Sequence, residues 1–140
     1  MATRAAYEFY NKEKRIISVY IHWDGYPDGA AMYLNRTLKG SYWNFNNQYI
    51  FFDFITEFIK LNDGEITAGS EAHGDLEYIY KIDLPMQQIT TLELNWSKVE
   101  KAGKLRDELE NEEIFDEVEV CSIEEFLKKH DKLLHYDFDI

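Results

Sequence analysis

The sequence predicts an α+β fold in which a largely antiparallel sheet packs against two or three helices as a single pair of layers. Three observations predict it. Short runs of β-branched and aromatic residues alternate with polar ones, as half-buried strands require, for example Ile17, Val19, Ile21 and Trp23 against Ile16, Ser18, Tyr20 and His22. Phe51, Phe54, Ile55, Phe58 and Ile59 recur instead at helical spacing. Strand-like and helix-like segments also come in blocks rather than in strict alternation, which favours α+β over a doubly wound parallel sheet. The 140 residues contain no internal repeat and no Pro/Gly/Ser-rich linker, so residues 1–140 are assigned to one domain.

Tyr7-Glu8-Phe9-Tyr10 is expected to pair with the run from Arg15 to Trp23 as a hairpin across the polar turn Asn11-Lys12-Glu13-Lys14, with the second run a central strand. Asp24-Gly25-Tyr26-Pro27-Asp28-Gly29 reads as a turn feeding a short helix, with Ala31, Leu34 and Leu38 on its buried side and Gly40 ending it. The aromatic helix follows Asn46-Asn47-Gln48 and closes at Asp63-Gly64. Its stripe is assigned to core packing rather than to a ligand groove. Two antiparallel strands come next, one through Leu76, Tyr78, Tyr80 and Ile82, the other through Leu92, Leu94 and Trp96. From Ser97 to Glu113 apolar residues are sparse and Gly103 interrupts, predicting a loop with some helical tendency. Val118 and Val120 mark a short strand, Ser122-Ile123-Glu124-Glu125 a capping box opening a last helix, and Tyr136, Phe138 and Ile140 a terminal strand.

Charge is distributed unevenly. The formal net charge is -12, yet residues 1–64 hold seven acids and seven bases, so the whole excess lies in residues 65–140. Eight acids fall between Asp107 and Glu119 with no base among them. Such a field repels phosphate backbones, because nucleic-acid affinity comes mainly from lysine and arginine displacing counterions. No direct nucleic-acid binding is expected. The same field attracts a basic protein surface and accelerates association with it. The candidate partner-binding residues are therefore Glu108, Glu110, Glu112, Glu113, Asp116, Glu117 and Glu119. The competing interpretation is a solvated face that maintains solubility.

No run approaches the roughly 20 apolar residues of a membrane span, and the first residues form no apolar signal core, so a cytoplasmic protein without membrane contact is expected. The single cysteine, Cys121, excludes an internal disulfide and leaves thiolate zinc sites without ligands.

The densest polar grouping is His22-Trp23-Asp24-Gly25-Tyr26-Pro27, at a strand end. In extended chain His22 and Asp24 share a face, and Glu71-Ala72-His73-Gly74-Asp75 repeats that spacing. His22, Asp24, His73 and Asp75 together would suit zinc, manganese or iron with water completing the shell, which makes a small metal-dependent hydrolase the alternative function. Against it, the spacing lacks the register of a zinc helix or a calcium loop, and His22 and Asp24 flanking Trp23 at a strand end can simply bond turn amides. No catalytic residue, metal or cofactor is assigned, and His22, Trp23, Asp24, Tyr26, His73 and Asp75 are carried as a motif without a role. Serine-hydrolase, P-loop and dinucleotide-binding signatures are missing.

With Ala2-Thr3-Arg4 ahead of it and His73-Gly74-Asp75-Leu76-Glu77-Tyr78-Ile79-Tyr80 after it, the His22-to-Pro27 motif resembles a group of small uncharacterised bacteriophage and bacterial proteins over roughly the first 85 residues. The resemblance implies no activity. It implies a context, that of a phage or mobile-element accessory protein, among which acidic inhibitors of host defence complexes, anti-CRISPR proteins included, are a frequent type. The expectation is a non-catalytic protein whose acidic half docks on a basic surface of a host protein. A self-associating structural protein, with exposed aromatics forming a homodimer, is a third possibility.

Overall fold

The computed structural model describes residues 3–39 and 43–131. Strands β1 (Ala5–Asn11) and β2 (Lys14–Ile21) form the expected hairpin, with Lys12 and Glu13 at positive φ in its turn. Helices α1 (Pro27–Leu38) and α2 (Gln48–Asn62) follow, then β3 (Glu65–Thr67), β4 (Tyr78–Asp83) and β5 (Gln88–Leu94). Two short helices, α3 (Trp96–Ala102) and α4 (Asn111–Ile114), lead into β6 (Phe115–Ser122) and α5 (Ile123–His130). The fold is α+β, and among the described residues an open six-stranded sheet in the order β3-β2-β1-β4-β5-β6 packs against helices.

Every strand pair is antiparallel except β1 with β4, where Ala5 lies opposite Tyr78. The chain crosses from β2 to β4 through both long helices, and this crossover permits the parallel pairing. It also moves the centre of the sheet. β1 and β4 occupy it, whereas β2, expected to be central, is separated from the edge only by the three residues of β3.

The α2 stripe is buried as its spacing requires: Phe51, Phe54, Ile55 and Phe58 meet Tyr7 and Phe9 of β1 in one core with α1 and with Ile123 and Phe126 of α5. Asn47 caps α2 by accepting from the Tyr49 and Ile50 amides, and Asp63 in the left-handed conformation ends it. Ser122 caps α5 by accepting from the Glu125 amide. The opposite face of the sheet carries a smaller cluster in which Ala6, Leu76, Ile79 and Leu94 meet Ile114 and Phe115. It covers only part of that face. From the segment expected to be a loop, Val99 and Leu109 pack against it, Val99 on α3, which Asn95 caps and left-handed Gly103 ends after two turns. Trp96, expected at the end of a strand, opens α3 instead. The terminal strand expected at Tyr136, Phe138 and Ile140, and Gly40, lie outside the described residues.

No helix among the described residues is long and apolar enough to cross a membrane.

Candidate functional site

The His22-to-Pro27 motif is a backbone turn fastened from three directions. Asp24 adopts φ 53°, the left-handed region that short acids tolerate. Gly25 donates its amide to Thr3 O at 2.8 Å and accepts from the Tyr80 hydroxyl at 2.6 Å, while the Tyr33 hydroxyl donates to Trp23 O at 2.8 Å. The chain passes so closely that a Cβ on Gly29 would lie 1.9 Å from Asp24 O, and one on Gly25 2.7 Å from Thr3 O. Glycine is therefore dictated at both positions by close approach of backbone. Buried Tyr80, whose phenol is held well above its ordinary pKa chiefly by burial, spends its hydroxyl on this turn.

The four metal-ligand candidates are only partly brought together. His73 stacks on Tyr20 at 4.3 Å between ring centroids, and the Tyr20 hydroxyl donates to Asp75 at 3.0 Å. His22 lies 6.4 Å from Tyr20 by ring centroids and accepts from Arg4 Nε at 3.3 Å, and the same Nε is 3.1 Å from Asp75. Asp24 is turned away, accepting from the Tyr26 hydroxyl at 3.2 Å. The guanidinium of Arg4 thus stands between His22 and Asp75, where a cation shared by the two would have to sit. Among the described residues no three His, Cys, Asp or Glu side chains are grouped to hold a metal ion. Burial and the Asp75 carboxylate push the Tyr20 phenol up to about 12, so it remains a hydrogen-bond donor at neutral pH. Beside this cluster Trp23 is 61% exposed.

A second arrangement lies on the sheet face that α1, α2 and α5 leave open. A cleft of about 580 Å³ runs over β1, β4, β5 and β6. Ile79, Leu92 and Phe115 supply its apolar part. A 3-10 turn, Ser70–Ala72, forms one wall with Glu71, and α4 with Glu110, Asn111 and Glu112 forms another. Asn111 Nδ2 donates to Ser70 Oγ at 3.1 Å and ties the two walls together. An adjoining cleft of about 450 Å³ shares Glu71, Glu110 and Phe115 and adds Glu108, Arg106 and His73.

The acids predicted from charge density are sorted by this geometry. Glu112 and Glu117 line the larger cleft, Glu108 the smaller, and Glu110 both. Glu113 closes the capping box of α4, accepting from the Glu110 amide at 2.8 Å, while the Glu110 side chain accepts from the Glu113 amide. Asp116 is paired with Lys98 at 2.5 Å and accepts from Asn95 at 2.7 Å. Glu119 lies on the helix side of the sheet, 2.5 Å from Lys129 Nζ and 2.8 Å from His130 Nε2. His130, read from sequence as an exposed residue of a cationic last turn, is half-buried, with its ring 4.6 Å from that of Phe126.

Burial pushes the Glu119 carboxyl up, but the bonds from Lys129 and His130 outweigh it and hold the group below its ordinary value of 4.5. With a folded pKa below the unfolded one, its stabilisation is complete above about 4.5 and is lost as pH falls through the folded value. Glu119→Gln is expected to lower stability by about 1 kcal/mol at neutral pH and to lose less than the parent between neutrality and about pH 3. Urea unfolding at the two pH values reads the difference, and equal acid sensitivity would contradict the assignment.

Sequence reasoning missed Glu8, Arg15 and Lys81, which line the larger cleft, and read Glu71 only as part of the polar grouping around His73. Glu8 is 2% exposed on β1, yet it faces the larger cleft. Its Oε2 accepts from Arg15 Nη1 at 2.9 Å, from Ser18 Oγ at 3.3 Å and from the Ser70 amide at 3.4 Å. Arg15 also grips Glu71 with two bonds of 3.1 Å, which keeps that carboxyl below its usual range. The available signal was a lone acid between Tyr7 and Phe9 in a strand, which marks a polar position on the face away from the aromatic core.

No family model matches the chain, and no curated protein or solved structure is significantly similar to it.

Proposed function

We propose that this is a non-catalytic binding protein that presents the acidic cleft on its open sheet face to a basic surface of a partner protein. The observation that supports it is that Glu108, Glu110, Glu112 and Glu117 line two adjoining clefts and have no cation at ion-pair distance among the described residues, whereas Asp116 and Glu119 do. Unpaired carboxylates beside an apolar floor attract lysine and arginine and give their aliphatic stems a surface to cover. In the phage or mobile-element setting that the motif's resemblance implies, the partner is a host protein whose basic surface handles nucleic acid, and the activity is inhibition by competition for it.

Glu108→Gln, Glu112→Gln and Glu117→Gln combined should weaken that association roughly tenfold, mainly through slower association, with little effect on stability. Removing charge remote from the clefts, with Glu57→Gln and Glu124→Gln, should not. Capture from a bacterial host lysate, quantified at low and at raised salt for parent and both variants, checks this. A captured set indifferent to salt and to the triple substitution would defeat the proposal.

A further inference from the structure

We propose that the basic partner engages the chain by adding an extended segment along the outer edge of β6 as a seventh strand, with basic side chains at the alternate positions that face Glu117. The inference rests on the acidic-cleft reading and specifies how its partner is held.

Among the described residues β6 is the last strand of the sheet and pairs with β5 alone, with a bulge at Val118. The direction of its free groups follows from alternation along an antiparallel ladder. Leu94 sends its amide to Glu77 O on the β4 side, while Asn95 N donates to Ile114 O and Ile123 N to Gln87 O on the β6 side. Glu93, Thr91 and Ile89 therefore turn their backbone groups toward β6, meeting Asp116, Glu119 and Cys121. Glu117 and Val120 are left pointing their amides and carbonyls outward, and among the described residues no further strand pairs with them. Val118 and Val120 are 51% and 47% exposed on the same strand. An eight-residue edge of this kind is a template for strand addition. The opposite edge, β3, offers three residues.

Charge decides the occupant. Two copies of β6 paired antiparallel would bring only further acids and no cation to Glu117, the carboxylate of this strand that Lys98 and Lys129 leave unpaired, and like charges across a strand pair are destabilising. A segment carrying arginine or lysine at every second residue reverses that sign. On the open face its cations lie beside Glu117, a residue of the larger cleft.

The probe is a short peptide alternating arginine and threonine, compared by titration calorimetry with the same peptide N-methylated at its arginine amides, which lie opposite Glu117 in an antiparallel pair and turn toward β6. The full chain should bind the unmethylated peptide roughly tenfold more tightly, because N-methylation removes the ladder donors. Val120→Pro, which deletes an outward amide at an edge position where proline is tolerated, should abolish that preference while leaving the unfolding midpoint nearly unchanged. Equal binding of both peptides overturns strand addition and leaves the acidic-cleft reading standing. Binding of neither overturns both. Hydrogen exchange on the unliganded chain gives a test free of substitutions: fast exchange at Glu117 and Val120 that slows with the unmethylated peptide supports the proposal, and protection before any peptide is added overturns it.

Discussion

Arg15→Met is expected to destabilise the protein by about 3 kcal/mol, because it strips the cation from a carboxylate that cannot return to water. Glu8 is 2% exposed, and after the substitution its Oε2 would keep only two neutral donors, Ser18 Oγ at 3.3 Å and the Ser70 amide at 3.4 Å. Breaking a buried pair typically costs more than forming it gains, since the stranded charge carries its full desolvation penalty. The low end of the range applies, because the Arg15 side chain is 37% exposed and solvent already screens it. Adding Glu8→Gln to Arg15→Met should recover most of the loss, as the double variant removes the charge along with its partner. Urea unfolding of the four proteins closes the cycle. A loss under about 1 kcal/mol for Arg15→Met, or no recovery in the double variant, would show that the pair does not hold the sheet's open face. Arg15 also fastens Glu71 on the 3-10 turn, so the single substitution should loosen one wall of the acidic cleft and weaken partner binding beyond the effect of charge.

How much was legible in the sequence depends on how far apart the interacting residues lie. The α2 stripe and the β2 alternation could be read because their periods are local and their apolar faces are broad. The parallel pairing of β1 with β4 could not, since period alone does not name a strand's partner, and Ala5 finds Tyr78 only after both long helices have crossed over. The span of β6 was obscured differently. Asp116, Glu117 and Glu119 break the apolar pattern, yet the strand forms because an edge beside a half-open face leaves Glu117 in water while Lys98 and Lys129 neutralise the others.

The candidate site shows the same division. Acid density between residues 107 and 119 was visible in composition. Which of those acids stay unpaired was not, because the cations that meet Asp116 and Glu119 come from α3 and α5. The His22-to-Pro27 motif drew attention as chemistry, and its geometry explains most of it as backbone: Gly25 and Gly29 sit where a Cβ would collide, and the hydroxyls of Tyr33 and Tyr80 hold carbonyls of the turn.

Phe58→Ala is expected to cost about 3–5 kcal/mol, a large share of the roughly 5–15 kcal/mol that stabilises a domain of this kind. Phe58 is fully buried on α2, with its ring centroid 5.2 Å from Tyr7 and 5.1 Å from Phe9, both on the central strand β1. Its neighbours are rings held from other sides, Tyr7 by Tyr33 and Tyr80 and Phe9 by Phe54, so they cannot collapse into the vacated volume and the cavity term is retained. Phe52 lies on the same helix but is 50% exposed, and Phe52→Ala should cost less than about 1 kcal/mol. The contrast isolates packing from helix propensity, because both substitutions install the same residue within one helix. Comparable losses in urea unfolding would mean that α2 presents a different face to the sheet. The consequence reaches the cleft through β1 itself: Phe9 and Tyr7 face the helices while Glu8, between them, faces the cleft, so loosening one side of that strand should also release the other.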